Sequence, residues 1–156
     1  MTTTDAATPA KTPTPARTPW HFWLVGIAAI LWNGFGAYDY LRTNLQGDAY
    51  MRSMGMTDAQ IAYFHDMPAW MTAVWAVGVW GGVLAGLLLL LRSTWALHVF
   101  VASLAAFVLS LVYYYVLTDG RTVMGPPVMV MQGVILVSCV FFVWYARRVT
   151  KQGVLR

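Results

Sequence analysis

Four long apolar stretches constrain this chain more than any other feature, because each is long enough to cross a bilayer as a helix. They occupy about 20–41, 69–91, 94–117 and 127–146, and a helix needs about 20 apolar residues to span a hydrocarbon core about 30 Å thick. In lipid only helices and closed barrels satisfy every backbone N–H and C=O. None of the runs alternates polar and apolar residues as a barrel strand does. Composition argues the same way: 59% of residues are hydrophobic and 10% are charged, where a soluble domain carries about 25% charged residues. The expected fold class is an all-α membrane protein, a four-transmembrane-helix bundle over 20–148.

Charge placement gives this bundle an expected orientation. The net charge is +4, and all six acidic residues are Asp. The basic residues sit at the ends of the apolar runs and not on one face, which argues for membrane topology and against nucleic acid as a partner. With the spans alternating, Lys11, Arg17, Arg92, Arg147, Arg148, Lys151 and Arg156 fall on one side. Arg42, Arg52 and Arg121 fall on the other, offset by Asp48, Asp58, Asp66 and Asp119. The positive-inside rule assigns the first side, with both termini, to the cytoplasm of a bacterium and the bundle to its inner membrane. Trp20, Trp23, Trp70, Trp95, Trp144 and Tyr145 lie near span ends, where amphipathic rings prefer the headgroup layer.

The connections carry their own signals. Residues 1–19, rich in Thr, Pro and Ala, bury too little apolar surface to fold and are expected as a disordered tail. The run that follows is too long for a signal-peptide core and is expected to stay as an anchor. Residues 149–156 are expected as a basic cytoplasmic tail. Arg92 and Ser93 alone join the second and third spans, which forces an antiparallel hairpin. Gly125-Pro126-Pro127 reads as a stop followed by a helix-starting proline. In the outer loop over 43–67, Thr57 and Gln60 form a capping-box pattern, with Ile61 and Phe64 on one face of the short helix behind it. An earlier turn over 48–54, stopped by Gly55, presents Tyr50, Met51 and Met54. These two short helices are expected to lie on the membrane surface and cap the bundle.

Two sets of residues inside the spans stand out. Gly78, Gly82 and Gly86 recur every four residues in the second span, and Ala102, Ala106 and Ser110 do so in the third. Such small-residue faces let backbones approach closely, either within the chain or between copies of it. The second set is polar: Asn33, Asp39, Ser110 and Gln132, with Tyr113, Tyr114 and Tyr115 nearby. Together with Trp32 they are a candidate polar pocket open to the outer face. A ring covers the C–H faces of a neutral solute while an amide bonds its hydroxyls. The plainer reading is ordinary interhelical hydrogen bonding, worth roughly 0.6–2 kcal/mol per bond. Asp39 is the lone carboxylate within a span, and Arg42 three residues on accounts for it as an ion pair.

His21 and His98 lie near the cytoplasmic ends of their spans. Two histidines can hold a haem, but their depths differ by about one helical turn, roughly 5 Å. His65-Asp66 offers two adjacent groups, which is not a metal-ligand set. Cys139, the single cysteine, lies mid-span, where a thiol stays protonated and inert. No phosphate-binding loop, dinucleotide fingerprint, zinc-protease helix or serine elbow is present. No cofactor, metal or catalytic residue is expected.

The run WNGFGAYDYL at 32–41, YFHDMPAW at 63–70, GVWGGVLAGLLLLLRS at 78–93 and WYARR at 144–148 resemble a group of small four-helix proteins of proteobacterial inner membranes. Some of these carry the label sugar transporter. The resemblance covers about 20–148, and the helix layout is loosely similar to that of DoxX-type membrane proteins. Small sugar carriers built from three-helix units carry a Pro-Gln pair. This chain has Pro126-Pro127 and no such pair, so no residue role transfers from them. The leading expectation is an accessory subunit that works through helix contacts with the bilayer, itself or another membrane protein. The alternative is a carrier for a small neutral solute such as a sugar, using the polar pocket.

Overall fold

Proline, glycine and one arginine set where the helices begin and end. The computed structural model describes residues 18–155, so the expected tail over 1–19, apart from Thr18 and Pro19, lies outside the described residues. Helix α1 (Trp20–Gln46) follows Pro19 and stops at Gly47, whose φ of 53° turns the chain. Helices α2 (Asp48–Ser53) and α3 (Asp58–His65) form the loop. Thr57 and Gln60 make the capping box as the sequence predicts: Oγ1 of Thr57 accepts from the Gln60 N–H at 3.3 Å, and Oε1 of Gln60 accepts from the Thr57 N–H at 3.0 Å. Helix α4 (Ala69–Leu90) follows Pro68, α5 (Trp95–Val112) runs into a π-helical turn at Tyr113–Leu117, and α6 (Gly120–Lys151) completes the chain. The described residues contain no strand.

Three of the helices are long and apolar enough to cross a membrane: α4, α5 with its π-helical turn, and α6. The fourth expected span, α1, has the length at 27 residues but not the apolar density. Asn33 and Asp39, together with its Trp, Tyr and Gly residues, dilute it. Helix α1 differs because it carries polar groups, Asn33 and Asp39, that line the interior cavity.

Helices α1 and α4 run antiparallel, with contacts that fall along one as they rise along the other. A Cβ on Gly26 would come within 2.2 Å of Leu90, so the α4 side chain occupies that space. Ile30 fills the groove at Gly86 and Asn33 fills it at Gly82. Val79 touches Gly36, and Tyr40 meets Trp75 edge-on with ring centroids 5.0 Å apart. The glycine series therefore serves packing inside the chain at two of its three positions. Gly78 differs: no atom lies within 4 Å of where its Cβ would stand.

The link between α4 and α5 closes by a Schellman arrangement. Ser93 N–H donates to the Leu88 carbonyl and Arg92 N–H to the Leu89 carbonyl, each at 2.9 Å. Arg92 takes the left-handed conformation at φ 61°, a position usually left to glycine. Its Nε donates to the Val154 carbonyl at 3.0 Å, which ties the hairpin to the end of α6. Helix α6 continues past the expected span end at 146 as far as Lys151, and Val154 and Leu155 fold back into the core.

That core lies at the basic end of the bundle. Phe22, Ala29, Ala85, Leu89, Ala96, Phe100, Phe142, Ala146 and Val149 bring all four long helices together there. Phe100 and Phe142 stack with centroids 5.6 Å apart, and His21 Nδ1 lies 2.7 Å from the Tyr145 hydroxyl. At the distal end α6 breaks at Gly125, with φ 72° and ψ −179°. Pro126 and Pro127 have no N–H, so carbonyls of the preceding turn lose their helical donors. Gln60 of α3 supplies a replacement: its Nε2 donates to the Val123 carbonyl at 3.4 Å and the Met124 carbonyl at 3.3 Å.

The two glycines separate in a simple test. A Cβ at Gly82 would stand 2.0 Å from Oδ1 and 3.2 Å from Cβ of Asn33, so Gly82→Ala must push the Asn33 amide aside, straining its bond to Ala29, and ease α1 away by a few tenths of an ångström. We expect it to lower stability by about 1–3 kcal/mol, the usual range for overpacking, and Gly78→Ala to be near neutral. Thermal unfolding in detergent, read by circular dichroism, distinguishes the two; equal midpoints would refute this packing.

Candidate functional site

The distal half of the bundle is hollow. A cavity of about 640 Å³ lies between the four long helices under the α2–α3 loop. All five residues of the expected polar pocket line it: Trp32, Asn33 and Asp39 from α1, Ser110 from α5 and Gln132 from α6. Gly78 and Ala106 line it too, which explains why nothing packs against Gly78. Ala102 is exposed, so the expected face of Ala102, Ala106 and Ser110 does not pack on α4. One helical position shifts the facing direction by about 100°, and the inward residue is Ser103. Its Oγ donates to the Gly78 carbonyl at 2.6 Å.

Each polar group has a defined partner. Asn33 donates through Nδ2 to the Ala29 carbonyl of its own helix at 2.8 Å. Ser110 Oγ donates to the Phe107 carbonyl at 2.7 Å. Tyr115 donates its hydroxyl to Gln132 Oε1 at 2.5 Å, which leaves the Gln132 amide NH2 as a donor. These bonds are local or join α6 to the turn before it. None of the described ones links two of the four lining groups Asn33, Asp39, Ser110 and Gln132 to each other, so they are not one another's glue.

Asp39 departs from expectation. It makes no ion pair with Arg42; its Oδ1 accepts from the Tyr50 hydroxyl of α2 at 2.9 Å. The Arg42 guanidinium instead lies over the Tyr38 ring at 5.6 Å and the Tyr50 ring at 5.4 Å. A planar, weakly hydrated cation is well suited to aromatic faces, and it keeps Nε buried without a hydrogen-bond partner. Tyr50 is 8% exposed. Burial raises its phenol pKa above the ordinary tyrosine value, and the bond to Asp39 and that carboxylate's charge raise it further.

The roof of the cavity is held by contacts among polar and charged side chains, of which His65 also lines the cavity. His65 Nε2 lies 2.7 Å from Asp48 Oδ1, and Arg52 bridges Asp48 at 3.7 Å and Asp58 at 2.9 Å. All four side chains are substantially exposed, so these contacts orient α2 on α3 more than they stabilise it. Sequence spacing did not reveal the His65–Asp48 or Tyr50–Asp39 pairs, because both join separate helices across the turns at Gly47 and Gly55. His65 pairs with Asp48 and not with its neighbour Asp66. His21 and His98 do not converge: His21 meets Tyr145, and the exposed His98 ring lies 5.6 Å from Trp95. Among the described residues no group of three or more His, Cys, Asp or Glu side chains could hold a metal ion.

Comparison with models of protein families, with curated proteins and with solved structures finds no match to this chain. The site therefore rests on its own chemistry. It offers amides, hydroxyls, an indole and the Tyr50-bonded Asp39 carboxylate around a largely apolar volume, and among the described residues no Lys or Arg lines it.

Removing the Tyr50 hydroxyl tests the Asp39 pair. Tyr50→Phe should cost about 1.5–3 kcal/mol, the usual loss when a hydrogen bond to a charged group is broken. The raised phenol pKa stabilises the fold fully below the ordinary tyrosine pKa and loses that contribution as pH climbs above it through the folded value. Stability of the parent protein should thus fall above about pH 10 more steeply than that of Tyr50→Phe. Parallel slopes in pH-dependent unfolding would refute the pair.

Proposed function

We propose that this chain is a four-span inner-membrane protein, with both termini cytoplasmic, whose cavity binds a small uncharged solute. The observation that carries the proposal is the convergence of Trp32, Asn33, Asp39, Ser110 and Gln132 on one cavity from three helices. Four spans are supported by the length over which α1 follows α4, from Gly26 beside Leu90 to Tyr40 beside Trp75. If α4 crosses the bilayer, α1 crosses with it. Insertion is supported by the apolar exterior: within the most apolar stretch of α6 only 11% of residues are buried, and Leu31, Phe35, Leu84, Val116 and Val137 are exposed at 50–72%. Surface of that kind needs hydrocarbon around it.

The electrostatics of the cavity disfavour an anion, and its one carboxylate, Asp39, is already bonded to the Tyr50 hydroxyl. An anion entering the cavity would shed water with no Lys or Arg to receive it, at a cost of several kcal/mol. A ring-bearing polyol or other hydroxylated molecule finds the Trp32 face, the Asn33 oxygen and the Gln132 donor. The expected role as an accessory subunit drew mainly on the glycine series. With Gly82 and Gly86 filled by α1, that series supports internal packing, and the carrier reading has the stronger basis.

Asn33→Leu and Gln132→Leu, each close in volume to the parent residue, test the reading. Each should weaken uptake of the solute into proteoliposomes about tenfold or more while leaving helicity intact, since buried polar recognition typically contributes 1–3 kcal/mol per group. A screen of neutral sugars and polyols supplies the solute. Uptake unchanged in both variants, or found for no solute in the parent, would sink the proposal.

A further inference from the structure

The bundle is not closed on all sides. Helix α1 packs along α4, α4 along α5, and α5 along α6, but α1 and α6 are not among the helix pairs that pack extensively. They meet at the basic end, where His21 reaches Tyr145. Above that point a second hollow of about 380 Å³ lies in the seam between them, lined by Ala28, Trp32, Val137, Ser138, Phe141 and Phe142. This hollow opens outward on a surface of exposed apolar side chains, with Val137 at 69% and Leu31 at 69% exposure.

Trp32 lines both hollows. It is the residue common to an apolar seam on the outside of the bundle and the polar cavity within. The residue is 37% exposed, and its side chain is not hydrogen bonded to any described residue. A side-chain rotation at Trp32 would join the two spaces. The chemistry along that route is graded: aromatic and aliphatic groups at Phe141, Phe142 and Val137, then the indole, then Asn33 and Gln132.

We infer that the α1–α6 seam is a lateral portal and that the cavity takes its ligand from the bilayer: an uncharged amphiphile, with a hydroxyl- or carbonyl-bearing head in the cavity and a hydrocarbon tail in the seam. This rests on the cavity being a binding site and names the class of molecule it binds. A phosphate-bearing lipid is the wrong class, because no Lys or Arg among the described residues lines either hollow, and a dehydrated phosphate without a cation is strongly disfavoured. A solute with no apolar portion gains nothing from the seam. An amphiphile places each part against matching surface, and its tail lies where lipid tails already lie.

The test uses two photoreactive probes on the full chain in phosphatidylcholine vesicles. One is octadecanol with a diazirine beside its hydroxyl end, and the other is a diazirine-bearing methyl glucoside. Crosslinked peptides are mapped by mass spectrometry. The long-chain alcohol should label the cavity residues Gln132 and Cys139. Val137→Trp and Ala28→Phe, made separately at exposed positions that tolerate bulk, should plug the seam and cut that labelling at least about fivefold, a change of roughly 1 kcal/mol in occupancy. Labelling of the cavity by the alcohol that survives in both plugged variants overturns the portal. So does cavity labelling by the glucoside while the alcohol marks only outward positions such as Val130 and Val140; the uncharged-solute reading would then stand without it. If neither probe reaches the cavity, the portal and the binding site fall together.

Discussion

The close approach of α1 to α4 is the contact on which the remaining geometry depends, because α1 is the helix least suited to hydrocarbon. Asn33 and Asp39 would be costly facing lipid. Gly82 and Gly86 let α1 come near enough for Asn33 and Ile30 to enter the α4 groove, and Gly26 returns the accommodation to Leu90. The polar side of α1 is thereby turned inward. Were the groove shallower, α1 would stand off, and the cavity would lose the wall that carries Trp32, Asn33 and Asp39.

From that contact follows an unequal division of the molecule along its length. At the basic end large side chains interlock: Phe22, Leu89, Phe100, Phe142 and Val149 form one buried cluster drawn from the four helices. At the distal end small residues are among those that line the cavity, including Gly78, Ser103 and Ala106, and two helix irregularities lie there. The π-helical turn at Tyr113–Leu117 and the Gly125 break in α6 both sit there. Such departures from the regular helix leave backbone groups to be satisfied and often accompany sites. Here Gln60 satisfies the carbonyls at Val123 and Met124, and Tyr63 lies 2.5 Å from Thr118 Oγ1 beyond the π-helical turn. The loop helix α3 is thus a brace for both irregularities as well as a roof.

Much of this architecture was legible in the residues. The long apolar runs, the short link at Arg92-Ser93, the capping box at Thr57 and the stop at Gly125 are local signals, and local signals survive in any context. The five polar residues of the candidate pocket could be grouped because polar side chains inside spans turn toward one another or a shared interior. Which neighbour each one meets could not be read. Arg42 lies one turn from Asp39 and forms the obvious pair on paper, yet Tyr50 on another helix takes that place. Spacing by four also failed to tell which of Ala102 and Ser103 points at α4, since the third span lacks the charged face that fixes a rotation. Gly26 carried no periodic signal at all, and its role appears only through Leu90.

The fastening at the basic end bears on how the molecule is made. Arg92 holds an uncommon left-handed backbone at the tip of the α4–α5 hairpin, and its guanidinium grips the carbonyl of Val154. Val154 and Leu155 emerge from the ribosome after all four long helices. The α4–α5 hairpin, with its short link, has the geometry to form as one unit, but Arg92 at its tip finds Val154 only when synthesis has moved past α6. The contact that fastens the hairpin tip at the basic end therefore cannot close before the residues that follow α6 have been made.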